Sequence, residues 1–295
     1  MNHDHKMADQ YLNSGYRKFF DLKYANASET QKLDLWLPDV PASGPYPVVL
    51  YFHGGAFRVG AKRENQSEPV LRVLERGCAV ADVEYRKSGE ARFPAMLQDA
   101  KAAVRFLRAN AGKYDLDADR FAAWGASCGG WIVSMLGVTA GRAEFDEEDR
   151  TDPEQSDAVQ AVVDWCGPCG NFLLMDSDFR ESGLGEPDHT PADSPEGQFM
   201  GACLTEIPDR CRLAAPGTYV HAGMPPILIV HGKQDQVVPV QQSRRFYEEI
   251  VRAAGEERAE YHALDGVYHH GKPWNDDPVI ERITMDFLDR VFKKG

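Results

Sequence analysis

The chain has 295 residues, 43% hydrophobic and 27% charged, enough to bury one large core or two smaller ones. A formal net charge of −13 argues against a nucleic-acid binder, and no apolar run is long enough for a membrane span, so neither partner is expected. Six cysteines at positions 78, 128, 166, 169, 203 and 211 are too few and scattered for a disulfide scaffold. Cys166-x-x-Cys169 has no second pair at zinc spacing, so reduced thiols and no metal are expected.

The first residues are polar and lack the apolar stretch of a secretory signal, which makes a cytoplasmic location the default expectation. Residues 1–20 read as an N-terminal tail or cap segment, and 21–295 as a single domain. Residues 33–37 alternate apolar and polar, as a half-buried strand does. Four prolines and a glycine over 38–47 mark a turn. The continuous apolar run 48–52 predicts a strand covered on both faces.

A helix is expected near 69–74, closed by Gly77, followed by a strand over 78–83. After Pro94, apolar positions 97, 100, 104, 107 and 111 follow helical spacing. A short strand over 121–124 runs into Gly125-Ala126-Ser127-Cys128-Gly129-Gly130 and then an apolar helix. Residues 144–157 hold eight acids against one arginine and read as a solvated loop.

A buried strand is expected over 159–165. From about 166 to 225 periodicity disappears, and a structureless loop of that length is improbable in a compact domain, so a lid insertion with short helices is expected. A strand over 227–230, a helix over 240–254 ending at Gly255, a strand over 260–264 and a helix marked by residues 280, 283, 287 and 291 complete the chain. Strands alternating with helices predict an α/β fold, a mainly parallel central sheet flanked by helices.

Open α/β sheets place their sites at the carboxyl ends of strands. Gly125-x-Ser127-x-Gly129 fits a strained strand–turn–helix that exposes a serine nucleophile. His53-Gly54-Gly55-Ala56 follows a buried strand, and its small residues let backbone N–H groups face an anion; Gly55, Ala56 and Cys128 are the expected oxyanion donors. His53 is expected to brace that loop. Asp235 is preferred over Asp164 as the acid that orients the base, with His231 a structural histidine of the same turn. The fourth strand end carries His269 and His270 side by side. A base must reach both Ser127 and Asp235, so only one of the two qualifies, and local periodicity does not choose between them. The order serine, aspartate, histidine, with spacings of 108 and 34 residues, leaves room for the lid and one crossover helix.

His53-Gly54-Gly55-Ala56-Phe57, Tyr85-Arg86 with Phe93-Pro94-Ala95, Asp117-x-Asp119-Arg120, Trp124-Gly125-Ala126-Ser127, Val162-Val163-Asp164-Trp165-x-Gly167-Pro168 and His231-Gly232-x-x-Asp235-x-x-Val238-Pro239 together carry a resemblance. From about residue 33 onward the chain resembles α/β-hydrolase-fold serine esterases of the hormone-sensitive-lipase and bacterial feruloyl and acetyl-xylan esterase-like group. The family's Gly-Ala-Gly-His-Gly aligns on Gly266-Val267-Tyr268-His269-His270, which implies His269 as the base. Cys128 departs from the usual alanine, Ala56 from a third glycine, and Val267-Tyr268 from Ala-Gly.

The resemblance implies a carboxylic-ester hydrolase working through an acyl-enzyme, without cofactor or metal, on a small-molecule ester substrate. Short-chain acyl esters, including acetylated or feruloylated carbohydrate, are expected, with Phe57, Trp131, Tyr268 and His270 as pocket residues and the lid setting the choice. The same triad serves amide cleavage, as in exopeptidases or arylformamidases. A catalytically silent binding protein is disfavoured because all three triad members are present. Whether the chain forms a homo-oligomer is left open.

Overall fold

The apolar runs assemble an eight-stranded sheet in a computed structural model that describes residues 7, 9–39, 45–148 and 150–293. The strands are β1 Arg17–Lys23, β2 Lys32–Leu37, β3 Tyr46–Phe52, β4 Ala79–Val83, β5 Leu116–Ala126, β6 Ala161–Trp165, β7 Ile227–Gly232 and β8 Ala259–Leu264. Their spatial order is β1-β2-β4-β3-β5-β6-β7-β8. β1 with β2 and β2 with β4 run antiparallel, and every other neighbouring pair runs parallel. The middle of the turn expected over 38–47 (residues 40–44) and the polar start of the chain lie outside the described residues.

Side chains alternate across the central strands, so each strand feeds two cores. Val48, Leu50 and Phe52 of β3 join one core with the helices Ala95–Ala109 and Cys128–Val138. Val49 and Tyr51 join the other, with the helix Pro278–Lys293 and the turns after Glu68. The double coverage explains why these strands read as unbroken apolar runs. No helix among the described residues is long and apolar enough to cross a membrane.

Two expectations need correction. The tail expected over 1–20 enters the sheet, because β1 starts at Arg17 and pairs with β2. Phe19 and Leu22 pack on the core, Phe20 meets Trp36 edge to face at 5.4 Å, and Met7 is buried with its N–H on Arg63 O at 3.1 Å. The acidic loop over 144–157 is not simply solvated. Asp157 accepts from Lys101 Nζ at 2.5 Å, and both side chains are buried. Asp146 accepts from Arg150 at 2.8 Å and Glu147 from Arg86. Lys101 lies on the helix Ala95–Ala109, so this loop is clamped to that helix by charge.

The 166–225 insertion contains the helices Phe172–Ser182, Pro195–Met200 and Pro208–Leu213. Asn171 and Ser194 cap the first two through side-chain oxygens. Phe199 stacks on Phe57 with ring centroids 4.3 Å apart, and Trp131 Nε1–H donates to Ala214 O at 2.7 Å. The insertion is therefore packed onto the core around the serine turn.

The buried Lys101–Asp157 pair gives a stability test. Asp157→Asn leaves a buried ammonium without its counter-charge and should lower unfolding free energy by about 3 kcal/mol in urea titrations. A change below roughly 1 kcal/mol would show that the Thr139 carbonyl, which also accepts from Lys101 Nζ at 2.7 Å, satisfies the ammonium without the carboxylate.

Candidate active site

β5 ends at Ala126, and Ser127 turns the chain into the helix Cys128–Val138 with φ 57° and ψ −124°. A non-glycine residue in that region is strained and persists only when its surroundings hold it there. A Cβ on Gly125 would lie 2.1 Å from Gly129 O, and one on Gly129 would lie 1.9 Å from Phe52 O, so both neighbours must be glycine. Ser127 N–H donates to Trp165 O at 2.8 Å, tying the turn to the end of β6.

The loops after β7 and β8 bring two side chains to this serine. Ser127 Oγ lies 3.0 Å from His269 Nε2, and His269 Nδ1 lies 2.7 Å from Asp235 Oδ2. His269, not His270, is the histidine that reaches both. Asp235 Oδ1 accepts from the N–H groups of Val237 and Val238, each at 2.8 Å, while His231 Nε2 approaches Oδ2 at 3.1 Å. Burial by itself raises the Asp235 carboxyl, but the charge and hydrogen bonds of His269 and His231 outweigh it and hold the group far below the usual carboxylate range.

His231 is fully buried and packs as a structural histidine against Ser243 Oγ at 2.7 Å and Val238 O at 3.0 Å. Asp164 accepts from Ser134 Oγ, Cys169 Sγ and Gly167 N–H at 3.1, 3.0 and 2.9 Å, and burial raises its carboxyl. Its oxygens hold the loop after β6 against the helix after Ser127.

The loop after β3 has left-handed backbone at three successive residues, Gly55, Ala56 and Phe57, with φ of 140°, 51° and 61°. Gly54 lies against the serine, since a Cβ on it would meet Ser127 Cβ at 3.3 Å, and its N–H donates to Gln66 Oε1 at 2.8 Å. His53 braces this loop: Nδ1–H donates to Gly54 O at 2.7 Å and the ring stacks on Tyr85 at 4.5 Å. Burial, reinforced by the Lys87 charge, lowers the His53 pKa to about 3, so the ring is neutral. The Cys128 thiol, a departure from the resembling family, sits beneath the same loop. It lies 3.5 Å from Tyr85 Oη and 3.9 Å from His53 O.

The pocket expectations divide. Tyr268 and His270 are exposed, the His270 ring meeting His269 edge to face at 4.6 Å. Phe57 and Trp131 are buried at 1% and 0% exposure, so they form an aromatic floor with Phe172 and Phe199 rather than an open wall. Apolar rings of that size gain more from packing together than from lining a wet cleft. Cys166, one residue past β6 with φ 47°, was not expected at the site. Its thiol, an Asp235 oxygen and a His269 nitrogen lie within 4.8 Å of one another, the one group among the described residues with a metal-ligand spacing. The signal that could have found it is its place directly after a buried strand.

Strand order and the serine turn after β5 are those of an α/β-hydrolase, and the similar chains include esterases and a carbohydrate esterase. The chain belongs to the BD-FAE family, whose model matches residues 33–250. It is 30% identical over 240 residues to Esterase LipC of Mycobacterium tuberculosis, covering 81% of this chain and 56% of that protein. It is also 30% identical to the probable carboxylic ester hydrolase LipM of the same organism, covering 78% and 51% respectively. The chain thus spans about half the length of these curated relatives. Among solved structures, a truncated carbohydrate esterase from gut microbiota is similar over 99% of both chains, with 27% identity and a TM-score of 0.81.

Gly129→Ala tests the turn. The added methyl meets backbone and cannot be absorbed by a rotamer change, so stability should fall by about 3 kcal/mol. Labelling by a fluorophosphonate should slow with it. A wild-type melting temperature and labelling rate would show that the turn relaxes freely.

Proposed function

We propose that the chain hydrolyses short-chain carboxylic esters with Ser127 as nucleophile, His269 as base and Asp235 as the acid that orients it. The observation that carries this reading is the unbroken relay Ser127 Oγ–His269 Nε2 at 3.0 Å and His269 Nδ1–Asp235 Oδ2 at 2.7 Å. His269 takes the Ser127 proton as Oγ attacks the ester carbonyl, and Asp235 stabilises the imidazolium that forms. The Gly55, Ala56 and Cys128 N–H groups receive the oxyanion. The imidazolium returns its proton to the departing alkoxide, and water, activated by the same histidine, releases the acyl group.

Acyl groups on carbohydrate are the proposed substrates. The similarity over 99% of both chains to a truncated carbohydrate esterase supports this, as does a second solved structure, a bifunctional GH43-CE of Bacteroides eggerthii. That chain is 30% identical with a TM-score of 0.80, and the match covers 92% of this chain and 35% of the other. The exposed Tyr268 ring, beside the base, offers a face on which a sugar or aryl acyl group packs.

Hydrolysis of p-nitrophenyl acetate, p-nitrophenyl butyrate and acetylated xylo-oligosaccharides by purified protein checks the proposal. Ser127→Ala should lose at least about a thousandfold in kcat, and His269→Ala should lose a comparable amount. His270→Ala should keep most of the rate. Equal turnover by wild type and Ser127→Ala would sink the reading, and a dead His270→Ala beside an active His269→Ala would reverse the assignment of the base.

A further inference from the structure

Behind the serine turn the strand ends bring together three donors of different chemistry. Cys166 leaves β6 in left-handed backbone, and its sulfur shares a cluster within 4.8 Å with an Asp235 oxygen and a His269 nitrogen. All three side chains are buried, at 2%, 1% and 6% exposure. We propose that this cluster is a binding site for a thiophilic divalent cation, zinc or cadmium, and that occupancy reversibly inhibits the enzyme.

The donor set selects the ion. A thiolate, an imidazole and a carboxylate suit zinc and its heavier congener, whereas magnesium and calcium demand oxygen ligands. Three protein ligands leave a fourth tetrahedral position for water. Donors around a zinc ion stand about 3.5 Å apart, so side-chain shifts of roughly an ångström close the cluster onto a metal.

Charge favours the same ion. In a buried site an unbalanced charge is expensive. A divalent cation with one thiolate, one carboxylate and a neutral imidazole sums to zero. The proton balance is one: the cation displaces the Cys166 thiol proton to solvent, while the imidazole keeps its single proton on the nitrogen that does not coordinate. Cys166 supplies the affinity and has no part in the proposed ester chemistry. Asp235 and His269 are shared, so a metal there removes the base and its acid together.

The inhibition arm rests on the proposed esterase reading, and the binding arm does not. Purified protein titrated with cadmium chloride should develop the ultraviolet charge-transfer band of a cadmium–thiolate bond, saturating at one cadmium per chain. Turnover of p-nitrophenyl acetate should fall with the same half-saturation, and zinc should inhibit likewise. Cys166→Ser, which keeps metal-free turnover, should lose the band and need at least about tenfold more metal for half inhibition, as loss of a ligand demands. Asp235→Asn, read by the band alone, should bind at least about tenfold more weakly with the thiol intact.

A band of wild-type strength in both variants would place the metal on another cysteine and overturn the site. Saturation of the band at Cys166 with turnover unchanged would overturn the sharing of Asp235 and His269. A wild-type protein that binds cadmium but hydrolyses no ester would refute the esterase reading and leave the metal site standing.

Discussion

The backbone of Ser127 is the constraint on which the site depends. Holding a non-glycine residue at φ 57° costs on the order of 1–3 kcal/mol, and something must prevent relaxation. Three contacts do so. The Ser127 N–H is fixed on Trp165 O of β6, the Ser127 carbonyl accepts the Trp131 N–H, and Gly125 is pressed against the Gly129 carbonyl. The turn cannot unwind without breaking the first turn of the helix Cys128–Val138 or parting β5 from β6. That geometry carries the hydroxyl away from the sheet, and the loops after β3, β7 and β8 are placed around it.

Asp235 is the second fixed point, and it is fixed by its own need for donors. A buried carboxylate is costly unless its lone pairs are filled. Here two backbone N–H groups take one oxygen and two imidazoles share the other. Backbone pairing delivers those donors: Lys233 N–H reaches Leu264 O at 2.8 Å and Gln234 N–H reaches Val267 O at 3.1 Å. A Cβ on Gly232 would strike Val267 O at 2.2 Å, so the glycine is what lets the loops after β7 and β8 close together. The separation of 34 positions between Asp235 and His269 is bridged by parallel pairing of β7 with β8. Acid and histidine are thus set by sheet register rather than by contact between two free loops.

Much of this was legible in the sequence because buried parallel strands and their glycine-bearing ends have local signatures. The serine turn, the His53–Phe57 loop and the Asp235 turn each follow an apolar run within a few residues. What was illegible depends on partners far away in the chain. Asp157 reads as one more acid until Lys101, 56 residues earlier, is found beside it. β1 hides because an edge strand, half exposed on both faces, has no clean alternation. The choice between His269 and His270 could not be made from their own neighbourhood and came only through resemblance. Cys166 and the Cys128 thiol were opaque for the same reason: their neighbours Asp235, His269, Tyr85 and His53 reach them through the sheet.

The aromatic floor changes how the 166–225 insertion should be viewed. Phe172 and Phe199 are 2% and 0% exposed, and they pack with Phe57 and Trp131 from the loop after β3 and the helix after the serine. Each buried aromatic ring removes about 150–250 Å² from water, worth roughly 4–6 kcal/mol at about 25 cal/mol/Å². Swinging the helices Phe172–Ser182, Pro195–Met200 and Pro208–Leu213 away as a flap would expose at least two such rings and break the hydrogen bond from Trp131 to Ala214, which caps the last of them. A single ring's worth already reduces the open state to about one molecule in a thousand. The insertion is thermodynamically an extension of the core. Outside that floor Val59, Leu184, Val237 and Tyr268 expose apolar side chains from four different loops, and none of them is held by the ring packing that fixes the insertion.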